Sequence, residues 1–199
     1  MNKFLDSSVL DRAIIFAVNA HRNTERRGKG FPYIVHPLEA VEIVATITPD
    51  QDLLAAAALH DTVEDTDVTV EDIRREFGDR IAELVHAESD QLDGKLFTGG
   101  QTATDEADTW HARKQAAIDR LAAASHDAKI VAMGDKLSNM RAIYRDYITK
   151  GDQLWQIFHV KDKASHEWHY RGLAASLSEL SDTFAYQEFV RLIDAVFAS

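Results

Sequence analysis

The chain contains no cysteine. Disulfides, thiolate nucleophiles and cysteine-ligated zinc are therefore excluded, and any metal must be held by histidine or carboxylate. No apolar run reaches the roughly 18 residues needed to cross a bilayer, and Met1-Asn2-Lys3-Phe4-Leu5-Asp6 lacks a secretory signal pattern. A cytoplasmic protein with no membrane partner is the expectation. Basic residues are also scarce: 22 Lys and Arg against 33 Asp and Glu give a net charge of −11, which argues against sequence-independent binding to nucleic acid. There is no nucleophile elbow, no Gly-Lys-Ser/Thr phosphate loop, no repeat and no convincing alternating strand.

What is present reads as helix. With 199 residues, 45% hydrophobic and 28% charged, the composition is that of an ordinary globular protein with one substantial core. Apolar residues at helical spacing predict a first helix from Ser7 or Ser8 to about Arg22, and Pro37 suits the first turn of a second, Leu38 to about Ile47. A third, Asp50 to Asp65, is followed by a short helix capped at Thr69 and ending at Gly78, and by one from Arg80 to about Ala87. Thr109 to Ala123, Asp127 to about Ile148, Ser165 to about Leu180 and Phe184 to Phe197 complete an all-α bundle of about nine helices. The expectation is a single compact domain over 1–199, its core at about 10–150 with helices of 165–197 packing on it. Gln91 to Asp108 carries Gly94, Gly99 and Gly100 without periodicity and reads as a loop long enough to act as a lid.

The densest chemistry lies in Leu59-His60-Asp61-Thr62-Val63-Glu64-Asp65-Thr66. On one continuous helix, His60, Glu64, Asp61 and Asp65 would fall at roughly 0°, 40°, 100° and 140° around the axis. Three carboxylates on one side raise each other's pKa unless a cation neutralises them. The preceding Leu53-Leu54-Ala55-Ala56-Ala57-Ala58-Leu59 is apolar nearly all round, which carries the cluster inward rather than into water. A mixed imidazole and carboxylate set suits Mn²⁺, Fe²⁺ or Zn²⁺, and the carboxylate share leans to Mn²⁺, other divalent metals remaining open.

Two further segments place a ligand type in an apolar setting. His36 stands in Pro32-Tyr33-Ile34-Val35-His36-Pro37, and Asp135 interrupts the buried-looking Ile130-Val131-Ala132-Met133-Gly134. A buried carboxylate needs a partner, and Lys136 or Arg141 offers one as readily as a metal does. Arg22, Arg26, Arg27 and Lys29 concentrate positive charge in one loop, as either a solvated loop or a seat for a polyanionic small ligand. His21 reads as structural, and His166-Glu167-Trp168-His169-Tyr170 as an aromatic helix face packed on the core.

Together, His36, His60-Asp61 and Asp135 resemble the metal-ligand order of the HD-domain phosphohydrolases. Ala20-His21, Arg26-Arg27, Pro32-Tyr33-Ile34, His36-Pro37 and the run Ala57 to Thr66 are similar to the hydrolase domain of RelA/SpoT enzymes and to stand-alone small alarmone hydrolases. Phe77-Gly78, Arg113-Lys114, Asp135-Lys136-Leu137 and Asn139-Met140-Arg141 continue the likeness in order.

The resemblance implies metal-dependent hydrolysis of the 3′-pyrophosphate of guanosine tetra- or pentaphosphate, usually with Mn²⁺. It implies His36, His60, Asp61 and Asp135 as metal ligands and Glu64 and Asp65 as the catalytic pair. Arg26 would lie against the base, Asn139 near the ribose, and Arg27, Arg113 and Lys114 at the phosphates. Thr24, Phe31 and Ser138 depart from the family's usual residues at positions near the nucleoside. Two other readings stand beside this one: a phosphohydrolase of another nucleotide, including a deoxynucleoside monophosphate or NADPH, and a catalytically silent nucleotide-binding protein. Homo-oligomerisation is left open.

Overall fold

The computed structural model describes residues 7–26, 28–89, 91–92, 95–96 and 103–198, giving only the backbone for 91–92, 95–96 and 103–108. Ten α-helices run in order among these residues. They are α1 (Ser8–Ala20), α2 (Val35–Ala45), α3 (Gln51–Leu59), the single turn α4 (Thr62–Asp65) and α5 (Val70–Phe77). After these come α6 (Asp79–Glu88), α7 (Ala103–Ala123), α8 (His126–Lys150), α9 (Lys163–Ser176) and α10 (Phe184–Phe197). Two 3₁₀ segments, Gly151–Ile157 and Ser178–Leu180, link the last three. The all-α class expected from the sequence holds. Within the expected 91–108 loop, however, Gln91–Leu92 pairs antiparallel with Lys95–Leu96 and α7 begins at Ala103. Residues 93–94 and 97–102 of that loop lie outside the described residues.

The bundle is organised around α3. Every residue from Leu53 to Leu59 is buried, which is why this stretch shows no polar face, and α3 lies against α1, α2, α6 and α8. Its start is fixed by Asp50, whose side chain accepts from the Asp52 N–H, and by Arg80, which reaches Asp50, Asp52 and Asp127 at 2.8–2.9 Å. One guanidinium thus ties the beginnings of α3, α6 and α8 together. The helix α5 starts with the capping box that Thr69 and Asp72 suggest, a device of about 1 kcal/mol, and ends at Gly78 with φ of 90°.

The contact that places the site is α2 against α8. Gly134 lets the α8 backbone approach α2 so closely that a methyl group there would lie 2.8 Å from the Ala40 carbonyl oxygen. At this crossing His36 in the first turn of α2 faces Asp135 on α8. The helix α10 packs against α8 and α9, joining the same buried cluster through Phe189, Ile193 and Val196.

Candidate metal centre

The run carrying the acidic cluster is not one continuous helix. The helix α3 stops at Leu59, His60 and Asp61 form a turn, and α4 restarts at Thr62. The break is built from side chains that take over carbonyls the helix leaves behind. His60 Nδ1 lies 2.8 Å from the Ala57 oxygen, and the Thr62 hydroxyl donates to the Leu59 oxygen at 2.7 Å. His60 and Asp61 nevertheless keep right-handed helical backbone angles across this turn, and the Asp65 N–H still bonds to the Asp61 oxygen.

At the centre, four groups from three parts of the chain meet. His36 Nε2 and His60 Nε2 are 3.3 Å apart. Asp61 Oδ2 lies 2.9 Å from His60 Nε2 and 3.3 Å from His36 Nε2, and Asp135 Oδ1 lies 3.1 Å from His36 Nε2 and 3.7 Å from His60 Nε2. Both histidines are buried. A carbonyl only accepts, so His60 Nδ1 carries the proton facing Ala57. Its Nε2, when the ring is neutral, is a lone pair aimed at carboxylate oxygens and a second imidazole. Lone pairs facing one another at these distances repel unless a proton or a cation lies among them. Donors around one ion at about 2.1 Å sit about 3.0–3.4 Å from each other; three of the five spacings fall in that range, and the other two, 2.9 and 3.7 Å, lie just outside it. His36, His60 and Asp135 thus form a group that fits a divalent metal, with the Asp61 carboxylate beside both histidines; the identity of the metal is not fixed by these residues.

The surrounding charges balance the same way. Burial pushes His60 towards neutrality, but Asp61 and Asp135 outweigh it and hold its pKa well above the ordinary value. Burial likewise opposes ionisation of Asp61 and Asp135. His60 and His36 nevertheless hold Asp61 well below the usual carboxylate range, and Lys136 with the two histidines does so for Asp135. Both readings of Asp135 meet in one carboxylate: Oδ2 accepts from Lys136 Nζ at 2.7 Å while Oδ1 faces the histidines. Lys136 also donates to the buried Glu88 at 3.2 Å. Nothing in the sequence marked Glu88, the last residue of an ordinary amphipathic helix. Tyr33, which the sequence marked only as part of a motif, donates its hydroxyl to Asp61 Oδ2 at 2.7 Å and packs its ring, tilted by 32°, against the buried His21.

A polar cavity of about 230 Å³ opens over the four groups. Its wall includes Glu64 and Asp65 of α4, Arg26 of the preceding loop, Lys114 of α7 and Asn139 of α8. Asp65 is exposed as a residue, yet its carboxyl faces the cavity, where partial burial and the Asp61 charge raise its pKa against a lowering bond from Tyr33. Arg26 Nη2 donates to Asn139 Oδ1 at 2.6 Å, and Asn139 Nδ2 donates to Asp135 Oδ1 at 2.5 Å. Arg26, Tyr33 and Asn139 are shared with an adjoining, more apolar cavity of about 240 Å³ that includes Phe158 and Tyr170. Of the other expected groups, Arg113 donates to Thr109 on its own helix and is not in the cavity wall, and Arg27 lies outside the described residues. Lys29 is joined to Asp146 at 2.5 Å and Arg22 to Asn19, so the basic loop is not one open positive surface. The aromatic face expected around His166 is present, with Trp155 stacked on it at 5.0 Å.

Comparison with known proteins places the chain in a family. Residues 13–158 match the family described as HD domain. A guanosine-3′,5′-bis(diphosphate) 3′-pyrophosphohydrolase of Danio rerio is 34% identical over 143 residues, which cover 70% of this chain and 71% of that protein. A probable GTP pyrophosphokinase of Mycobacterium leprae is 33% identical over 94% of this chain, but the chain spans only 23% of that longer relative. A solved structure described as a metazoan ortholog of SpoT that hydrolyses ppGpp superposes with a TM-score of 0.70 over 97% of both chains at 22% identity, a likeness of fold.

Proposed function

The chain belongs to the HD domain family, and on that premise we propose that it is a metal-dependent phosphohydrolase that removes the 3′-pyrophosphate from guanosine tetra- or pentaphosphate. The observation that carries the proposal is the grouping of His36, His60 and Asp135, with Asp61 within 3.3 Å of both histidines, beneath a cavity whose wall also holds Glu64, Asp65, Arg26, Lys114 and Asn139. The Danio rerio relative supplies the substrate class.

In this reading the four central residues hold the metal, and the equal share of carboxylate and imidazole favours Mn²⁺. A bound divalent ion lowers the pKa of an attached water and polarises a phosphoryl oxygen. Glu64 and Asp65, both in the cavity wall, would divide the proton traffic. Asp65, with its raised pKa, holds a proton near neutrality more readily than an ordinary aspartate and passes it to the departing ribose oxygen, while Glu64 takes the proton of the attacking water. Arg26, 5.4 Å from the centre of the Tyr33 ring, offers a guanidinium plane to the guanine base, which the adjoining apolar cavity receives. Asn139 lies at the ribose, and Lys114, in the cavity wall, meets the phosphates.

The test is a panel of nucleotides incubated with the protein and Mn²⁺, assayed for pyrophosphate and phosphate. Release of pyrophosphate from guanosine tetraphosphate, leaving GDP, is expected. Hydrolysis of another nucleotide with guanosine tetraphosphate untouched would overturn the substrate, and no turnover of any would overturn the enzyme reading.

A further inference from the structure

The two histidines face the centre for different reasons. His60 is fixed by a backbone carbonyl, whereas His36 Nδ1 lies 2.8 Å from the Ser138 hydroxyl, a group able to donate or accept. Which it does is settled one step further out. Ser138 Oγ is 2.7 Å from Glu39 Oε2, and Glu39 Oε1 lies 3.4 Å from Arg141 and 3.8 Å from Arg145. A carboxylate beside two guanidinium groups only accepts, so the Ser138 hydroxyl donates to Glu39. Its lone pair is then what meets His36, so Nδ1 carries the ring proton and Nε2 is left bare towards Asp61 and Asp135. A serine within a helix commonly turns back on its own carbonyls, but this buried one reaches across to α2 on both contacts. Arg141 is itself clamped by Glu188 of α10 at 2.9 and 2.8 Å.

We infer that Ser138 and Glu39, braced by Arg141 and Glu188, are positioning residues that set the tautomer and orientation of His36 as a metal ligand. The inference rests on the metal-centre reading above and extends it to α10, which lies beyond the residues matched to the family, 13–158. The carboxylate, acting through the hydroxyl, makes Nε2 the more basic nitrogen. Without that hydroxyl the buried Nδ1 has no acceptor and the neutral ring is free to turn its proton to Nε2, where it blocks the metal.

The experiment is calorimetric titration of the metal-free protein with Mn²⁺, a readout independent of turnover. Ser138→Ala is expected to bind about tenfold to a hundredfold more weakly, the range found when an outer partner of a ligating histidine is removed. Ser138→Thr, which keeps the hydroxyl, is expected to stay within about threefold of the parent. Glu39→Gln should lose about tenfold, and Glu188→Gln about threefold as Arg141 loosens. Far-ultraviolet circular dichroism of each metal-free variant verifies the fold. Ser138→Ala binding as tightly as the parent would overturn the inference while leaving the metal centre standing. His36→Ala binding as tightly as the parent would overturn the metal centre and this inference with it.

Discussion

Replacing Gly134 by alanine tests whether the close crossing of α2 and α8 is what assembles the site. A Cβ at this position would lie 2.8 Å from the Ala40 carbonyl oxygen, 2.9 Å from Val44 Cγ2 and 3.3 Å from Ala40 Cβ. Two of these neighbours belong to the α2 backbone or to an atom attached to it, so relief requires the helices to separate rather than a side chain to turn. Overpacking of this kind costs about 1–3 kcal/mol, offset by about 1 kcal/mol from the better helix propensity of alanine. The net loss therefore reaches about 2 kcal/mol, which at this chain length lowers Tm by about 4–8 °C. Separation also draws His36 on α2 from Asp135 on α8, now 3.1 Å apart, so Mn²⁺ affinity should fall about tenfold. Gly172→Ala is the control: the atoms nearest its Cβ all belong to the Ile118 side chain, Cδ1 at 2.5 Å and Cγ1 at 3.2 Å, which can turn its end away and give by a few tenths of an ångström without moving a helix backbone. That variant should melt within about 2 °C of the parent, with unchanged metal affinity. A Gly134→Ala protein at least as stable as the parent, with the same affinity for Mn²⁺, would refute the argument.

Glu64→Gln and Asp65→Asn should each reduce turnover at least about a hundredfold while leaving Mn²⁺ bound; a variant with near-normal turnover removes that residue from the mechanism. Arg26→Ala, which removes the guanidinium from both the cavity wall and Asn139, should raise KM for guanosine tetraphosphate far more than it lowers kcat, and steady-state kinetics showing the reverse would contradict stacking. The Asp72 carboxyl, held at about 2 by the Thr69 hydroxyl and N–H and by Arg75, against an ordinary 3.8, has a depressed pKa in the folded state. Its contribution is therefore complete above about pH 4 and lost as pH falls towards 2. The Tm gap between the parent and Asp72→Asn should close over that range, and a gap constant from pH 5 to 2 would count against the capping role.

Much of the fold was legible because its causes are local. The Thr69 and Asp72 cap, the stop at Gly78 and the apolar periodicity of α8 and α10 depend on neighbours within a few residues. Boundaries shifted where tertiary contacts intervene: α2 begins at Val35 and takes His36 and Pro37 into its first turn, and α7 starts six residues before the expected Thr109. The break at His60 was not legible, since Leu59 to Asp65 contains no glycine or proline, and side chains rather than backbone chemistry make it.

The sequence by itself determined the all-α class and the absence of cysteine chemistry, which follow from periodicity and composition, while its resemblance to a known family pointed to the four residues that meet at the centre. Tertiary structure alone decided how they act. Asp135 divides its oxygens between Lys136 and the histidines, Lys29 pairs with Asp146 in the wall of the adjoining cavity, and His36 owes its tautomer to Glu39 and Ser138, 99 positions apart. These outcomes depend on which donor faces which acceptor across a helix crossing. That is fixed by distances of about 3 Å between segments remote in sequence, to which no local pattern of residues is sensitive.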